Sequence, residues 1–579
     1  MSARPATGIT EPDHHAKPEG RGIANLSRPP PGAGDQPPAG LTRGRLQGWL
    51  PRGTWRLLLI PLGAYLVLHF PSLFEPHWYT DEAGYSVTAW LTNHGVVLYG
   101  GVWNNKPPLL FWLYGLVLNW FGPSEAALHT LSMITGLLAL LGLWKLVLDG
   151  WGPRPACVAV SIGAFLLGTP VLNGDLALPE NLLIAPTALA MVVTLLALRP
   201  ASPRQQIWRG VGAGILFAAG ILIQQTALAD LAAAGLWLLL LPDRRGLRQL
   251  GVTISTALVL VAASLLPYAI QVGARHLYYL LVTSYIGYEK GSAGFGLANL
   301  APHAIAAAAL LIGAVLARHS DRRQLLLWIW AAAVLLAETA PNKSYIFFSI
   351  PMVVPLAALA VSLPWRHLWQ LVRTHTWPCW RPILNVLPLA LAVLLPFGIW
   401  LGLLVSDPES TYSVRLGEVY YQSFVGRAVG LVSPAAYSNT FDLRAGPDAL
   451  VASWVHQHGL AGHSAVVWSS LAWDYVLADL RPVVPTPAIY VDEAWLGPRK
   501  VLDDIERGHP KVVITDSGSI TQWPGVKVLL RRGYVETYHV AMMAVWVDRR
   551  AFGSAEVDRL ISSSDRPVAA LRSSGGDSS

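Results

Sequence analysis

Residues 77–122 read HWYTDEAGYSVTAWLTNHGVVLYGGVWNNKPPLLFWLYGLVLNWFG. Two adjacent carboxylates, Asp81 and Glu82, open a stretch with helical character that runs to about Thr92, and a lone Lys106 stands before Pro107–Pro108. Part of this is local structure. Thr80 or Asp81 can cap a helix whose first turn favours acids through the macrodipole, and a Pro pair starts a second helix well. The other part is chemical, because a proton acceptor and a cation in one short loop can serve a reaction as well as a fold.

The surroundings decide where that loop lies. Of 579 residues 53% are hydrophobic and 13% charged, with 24 Trp, which places the chain in the membrane class. From Trp55 onward about eleven apolar runs approach the length of a bilayer span: 55–72, 126–148, 155–172, 181–198, 210–225, 227–241, 250–271, 301–317, 324–340, 345–362 and 383–405. The pair within 210–241 is the least distinct. Basic clusters at Arg43 to Arg56, Arg199 to Arg209, Arg244 to Arg248, Arg318 to Arg323 and Arg366 to Arg373 occupy alternate loops, which the positive-inside rule assigns to the cytoplasm. The 77–122 loop and everything after about Val405 then lie outside.

Four segments follow: a Pro- and Gly-rich cytoplasmic tail (1–54), a polytopic membrane domain (55–405), an extracytoplasmic α/β domain (406–552) and a Ser/Gly/Asp-rich tail (553–579) expected to fray. Strands are expected at Ala465–Trp468, Lys511–Thr515 and Ala541–Val547, with Ser469, Ser470, Asp516 and Ser517 at the strand ends where α/β sheets bind ligands. Two cysteines, Cys157 and Cys379, exclude a disulfide framework and a Cys-based zinc site. Nothing supports nucleic-acid binding.

Other polar residues stand out against apolar surroundings. Asn173, Asp175 and Glu180 sit at an external helix start. Gln224, Gln225, Thr226 and Asp230 interrupt an apolar run, and Glu338, Asn342 and Lys343 precede the tenth span. Carboxylates at membrane depth are costly without a role, although polar groups bonding between helices and a lysine snorkelling to the interface account for some of them. Trp78, Tyr79, Trp103 and Trp112 could stack on sugar rings or form an interfacial belt. His77, His94 and His129 do not have metal-site spacing, and no His-based metal centre is expected from them.

The pattern from Asp81 to Gly122 resembles the first external loop of the GT-C superfamily of membrane glycosyltransferases, in particular the lipid A aminoarabinose transferases and the bacterial relatives of protein O-mannosyltransferases. There an Asp-Glu pair opens a surface helix containing an aromatic, a Gly precedes a hydrophobic-Tyr step, and Lys-Pro-Pro opens a second helix ending in Phe-Gly. The resemblance implies a GT-C fold that is mainly helical, with surface helices in the first external loop, and an enzyme of the bacterial cytoplasmic (inner) membrane. That enzyme would transfer a hexose or pentose from a polyprenyl-phosphate donor to an envelope lipid, polysaccharide or protein hydroxyl, inverting the anomeric carbon. Asp81 is implied as the catalytic base with Glu82 in support, and Lys106 as a donor-phosphate contact joined by Lys343. Glu180, or Asp175 in its place, matches the acidic residue at the head of the fourth span, and Trp103, Gln224 and Gln225 fall on the substrate side. Relatives often carry Lys-Gln-Thr where this chain has Gln224-Gln225-Thr226, so one phosphate contact is expected to be missing or supplied elsewhere. A divalent cation, Mg²⁺ or Mn²⁺, on Asp81 and Glu82 stays open, because some members use one and others do not. The rival reading is a transporter or glycolipid flippase, which would show repeated or broken midplane helices; no such duplication is visible in the sequence.

Overall fold

The computed structural model describes residues 53–241, 244–287, 297–317, 321–338, 345–363, 408–487, 498–522 and 524–564. The expected span 383–405, the tail 1–52 and Lys343 lie outside the described residues. Residues 50–579 form one compact unit.

The membrane part is built from α1 (Trp55–His69), α2 (Thr80–Asn93), α3 (Pro108–Phe121), α4 (Glu125–Trp151), α5 (Pro153–Gly168), α6 (Pro179–Leu195), α7 (Pro203–Ile223), α8 (Leu228–Leu239), α9 (Arg244–Val272), α10 (Ala274–Tyr278), α11 (Ser284–Gly287), α12 (Leu297–Ala317), α13 (Arg322–Glu338) and α14 (Val353–Ser362). Proline opens α3, α5, α6 and α7, where its missing N–H costs nothing. Among the described residues five stretches are long and apolar enough to cross a bilayer: Trp55–Phe74, Glu125–Trp151, Pro179–Leu198, Pro203–Ile223 and Gly246–Val272. Helices of 10–17 residues occupy most of the other expected spans. The 210–241 stretch is two helices broken at Gln224–Ala227, since the polar triplet forms a 3₁₀ turn between α7 and α8. Helix packing runs α1 on α5, α4 on α5 and α6, α6 on α7, and α7 on α9.

After a long helix, Pro408–Ala428, comes a five-stranded sheet of order β2-β1-β3-β5-β4, with β1 (Ser464–Trp468), β2 (Arg481–Pro482), β3 (Val512–Asp516), β4 (Tyr534–Val540) and β5 (Met543–Asp548). β1 pairs in parallel with β2 and β3, while β5 runs antiparallel to β3 and β4. β1 and β3 are continuous apolar runs buried along nearly their whole length, as central parallel strands require. The expected strand at 541–547 is β5, starting two residues later because Ala541 holds a left-handed turn. The expected fraying from 553 is met differently: Ser554–Ser564 is a helix that buries Val557 and Leu560 in the core.

The sheet seats on one end of the membrane helices. The Trp103 N–H donates to Pro485 O at 2.7 Å, the His77 ring meets Trp473 edge-on at 4.6 Å, and Tyr420 Oη from helix Pro408–Ala428 donates to Glu75.

Beneath β1, Asp448 and Asp474 are fully buried and none of their four carboxylate oxygens has a hydrogen-bond partner. Burial holds both well above the ordinary carboxylate range, and the two charges reinforce the effect at Asp448. Each therefore keeps in the folded state a proton that the unfolded chain would release above about pH 4. The stability they contribute is complete below that pH and drains as pH rises through the folded values. Asp448→Asn should accordingly raise the thermal midpoint at pH 8, because the amide has no proton to hold against solvent, and change it less at pH 4. Thermal unfolding of detergent-solubilised protein at the two pH values measures this.

Candidate active site

Two buried polar clusters form at the end of the helices next to the sheet, near Tyr114, whose hydroxyl donates to Ala177 O at 2.7 Å. The first holds Lys106. Its backbone is fixed from three directions: its carbonyl accepts from Tyr99 Oη at 2.7 Å, its N–H donates to Asn104 Oδ1 at 3.2 Å, and the preceding Asn105 carbonyl accepts from Gln225 Nε2 at 2.6 Å. Tyr99 is fully buried with φ +68°, a left-handed conformation that costs a bulky side chain. The loop holds it there through Tyr99 N–H to Val102 O and through the His276 ring on Tyr99 O.

Only 8% of Lys106 is exposed, and its ammonium lies 5.6 Å from the centre of the Tyr285 ring. Among the described residues no carboxylate comes within 4 Å of it to form an ion pair. Glu180 and Glu338, 1% and 5% exposed, feel its charge from farther away, and Glu180 feels Asp81 as well. Gln224 Nε2 donates to Glu180 Oε1 at 2.8 Å, while Glu180 Oε2, Gln224 Oε1, Thr226 Oγ1 and Tyr285 Oη are buried without hydrogen-bond partners. A neutral Gln224 thus bonds Glu180 without cancelling its charge. These groups form a buried, incompletely satisfied polar cluster beside an ammonium with no ion-pair partner among the described residues, suited to an anion that also brings donors.

Asp81 and Glu82, neighbours in sequence, part company in space because consecutive helical residues point about 100° apart. Asp81 is half-buried, and Glu82 is fully buried. Glu82 joins the second cluster: its Oε1 accepts the Ala177 N–H at 2.5 Å and lies 3.3 Å from His129 Nε2. Glu82 therefore braces α2 against α4 and the turn before α6, and a cation shared by Asp81 and Glu82 gains no support from this arrangement. Glu125 Oε2 lies 3.6 Å from the same His129 nitrogen. The spacing of the histidines argued against a metal centre with one, whereas folding brings His129 to two carboxylates from chain-distant positions. Asp175 also belongs here and not beside Lys106. Burial pushes its carboxyl up to about 6, and burial followed by Asp175 holds Glu75 well above the usual range. The Asp175 loop is tied by Asn181 Nδ2 to Asn173 O and Leu176 O, both at 2.7 Å, with Asn173 at φ +55°.

The remaining expected contacts serve the scaffold. Gln225 Nε2 bridges Asn105 O and Leu281 O, and Trp103 Nε1 donates to Gly100 O while its ring meets His276 at 5.0 Å. Glu75, Glu125, His129 and Tyr285 were not singled out by sequence as site residues. Glu125 and His129 did carry one usable signal, an i,i+4 spacing that puts both on one face of α4.

This architecture has known counterparts. The structure of ArnT from Cupriavidus metallidurans bound to undecaprenyl phosphate superposes with a TM-score of 0.53, covering 84% of this chain and 97% of that one at 17% identity. Its apo form gives 0.52, with 85% and 97% covered and again 17% identity. The membrane part carries the GT-C fold. A sequence-family model described as dolichyl-phosphate-mannose-protein mannosyltransferase matches residues 105–268, a stretch that begins beside Lys106 and takes in Glu180, Gln224 and Gln225. No curated protein matches the chain in sequence. The likeness to the GT-C superfamily expected from Asp81 to Gly122 is therefore present in fold and in family model.

Proposed function

We propose that this protein is a polytopic membrane glycosyltransferase that takes a sugar from a polyprenyl-phosphate donor and passes it to a hydroxyl of an envelope acceptor at the outer face of the cytoplasmic membrane. The observation that carries the reading is Lys106: a buried ammonium, locked in place through its backbone and, among the described residues, without a carboxylate within 4 Å. An unpaired buried cation is costly, and a phosphate that binds there offsets the cost. The ArnT structure solved with undecaprenyl phosphate and the dolichyl-phosphate donor named by the family model support a lipid phosphate as that anion.

In this reading the acceptor hydroxyl gives its proton to Asp81 as its oxygen attacks the anomeric carbon. The bond between that carbon and the phosphate oxygen breaks, and Lys106 stabilises the charge left on the lipid phosphate. Attack opposite the leaving group inverts the anomeric centre. Glu180, bonded to Gln224, lines the donor space, and Lys343 is a second phosphate contact. Membranes containing the protein, supplied with a radiolabelled polyprenyl-phosphate sugar, should move label into a new glycoconjugate. Label that crosses the bilayer while still attached to its polyprenyl phosphate would instead establish a flippase.

A further inference from the structure

We propose that Glu82, Glu125 and His129 together hold one zinc ion that bolts the first turn of α2 to α4. The three side chains are 0%, 4% and 0% exposed, and one ligand atom from each lies within 4.8 Å of the others.

The argument starts from the histidine. His129 Nδ1 lies 2.7 Å from the carbonyl oxygen of Ser72. A carbonyl only accepts, so Nδ1 carries the hydrogen and Nε2 is the nitrogen presented to the carboxylates. A bare lone pair on Nε2 would face two further sets of lone pairs, so a positive centre must sit among these three groups. That centre is either a proton, on Nε2 or on a facing carboxyl, or a metal ion.

Distances separate the two. A charge-assisted N–H···O bond is about 2.7–2.9 Å long, yet Nε2 stands 3.3 Å from Glu82 Oε1, 3.4 Å from Glu82 Oε2 and 3.6 Å from Glu125 Oε2. Two ligand atoms on one tetrahedral zinc, each bound at about 2.0–2.1 Å, are separated by about 3.3–3.4 Å. The His129–Glu82 separations are therefore those of co-ligands, and Glu125, 3.6 Å from the same nitrogen, lies within reach of the same ion. A single proton on Nε2 also leaves Glu125 stranded, and both of its oxygens are buried without a hydrogen-bond partner. A dication engages all three groups and balances the charge of two carboxylates and a neutral imidazole. The remaining contacts have the form of outer-shell support: Ser72 O orients the imidazole, and the Ala177 N–H steadies Glu82.

The site is independent of the glycosyl-transfer reading and is read out by metal content alone. Full-length protein, purified in detergent, incubated with Zn²⁺ and desalted, should contain about one zinc per chain by plasma mass spectrometry. His129→Gln and Glu125→Gln should each lower this at least fivefold, while Asp81→Asn should retain it. Stripping wild type with a strong chelator should lower its thermal midpoint, and added Zn²⁺ should restore it. Wild type that holds less than about a tenth of a zinc per chain overturns the proposal in favour of an imidazolium pair, as does Glu125→Gln with full zinc. Loss of zinc in Asp81→Asn overturns it by moving the ion to the other carboxylate. Should His129→Gln fail to fold, Glu125→Gln and the chelation experiment decide alone.

Discussion

Asp81→Asn should lower turnover of a polyprenyl-phosphate sugar by about 10²–10⁴-fold, the usual worth of a general base, while leaving the Michaelis constant for the donor nearly unchanged. Asparagine keeps the size of the side chain but cannot take a proton from the attacking hydroxyl. Asp81 is the half-buried member of the acidic pair, whereas Glu82 is fully buried against the Ala177 N–H and the α4 residues. The loss should therefore appear in the chemical step and not in folding. Single-turnover kinetics with labelled donor, alongside the thermal midpoint of the variant, checks both parts. A rate within about threefold of wild type would remove Asp81 from the base role.

Lys106→Gln should cost about 10²–10³-fold in the same assay, in line with removal of one group that stabilises developing charge. Its signature should differ from that of Asp81→Asn. The ammonium meets phosphate both before and after the sugar leaves, so binding of the lipid phosphate itself should weaken along with turnover. Lys106→Arg should recover only part of the activity, since a planar guanidinium does not reproduce the compact ammonium that stands over the Tyr285 ring. Equal affinity of wild type and Lys106→Gln for polyprenyl phosphate, measured by calorimetry or fluorescence, would contradict this role.

Much of the framework could be read directly. Pro107–Pro108 and the acids at 81–82 mark the starts of α2 and α3 because those signals act within one helical turn. Apolar run length places four of the five long spans among the described residues to within about four residues for the same local reason, while Pro203–Ile223 starts seven residues before the expected 210. The break at Gln224–Ala227 showed as an indistinct pair of spans, since a polar triplet interrupts hydrophobicity without any Gly or Pro to announce it. What escaped was assembly. Glu82 and His129 are 47 residues apart, and only the packing of α2 on α4 makes one cluster of them. The separate destinations of Asp175 and Glu180, five residues apart, depend on the left-handed Asn173 turn and the Asn181 clasp, which no periodicity encodes. The helix at Ser554–Ser564 was hidden by its Ser-rich composition, although Val557 and Leu560 supply the buried edge that orders it.

One helix sets a mechanical condition on all of this. The apolar part of α9 spans 27 residues and is mostly unburied, giving a rod of roughly 40 Å at 1.5 Å per residue against a hydrocarbon core of about 30 Å. Near its outer end Tyr268 meets the strained Tyr99 ring at 5.3 Å and accepts from Trp112 Nε1 at 3.1 Å. Hydrophobic mismatch is relieved by tilt or by stretching the surrounding lipid, and a change in tilt pulls on the same aromatic contacts that lock the Lys106 loop. Under the proposed function, bilayer thickness then becomes a variable of the Lys106 site: lipid would act both as the solvent of a donor and as a spring on the loop that holds the ammonium.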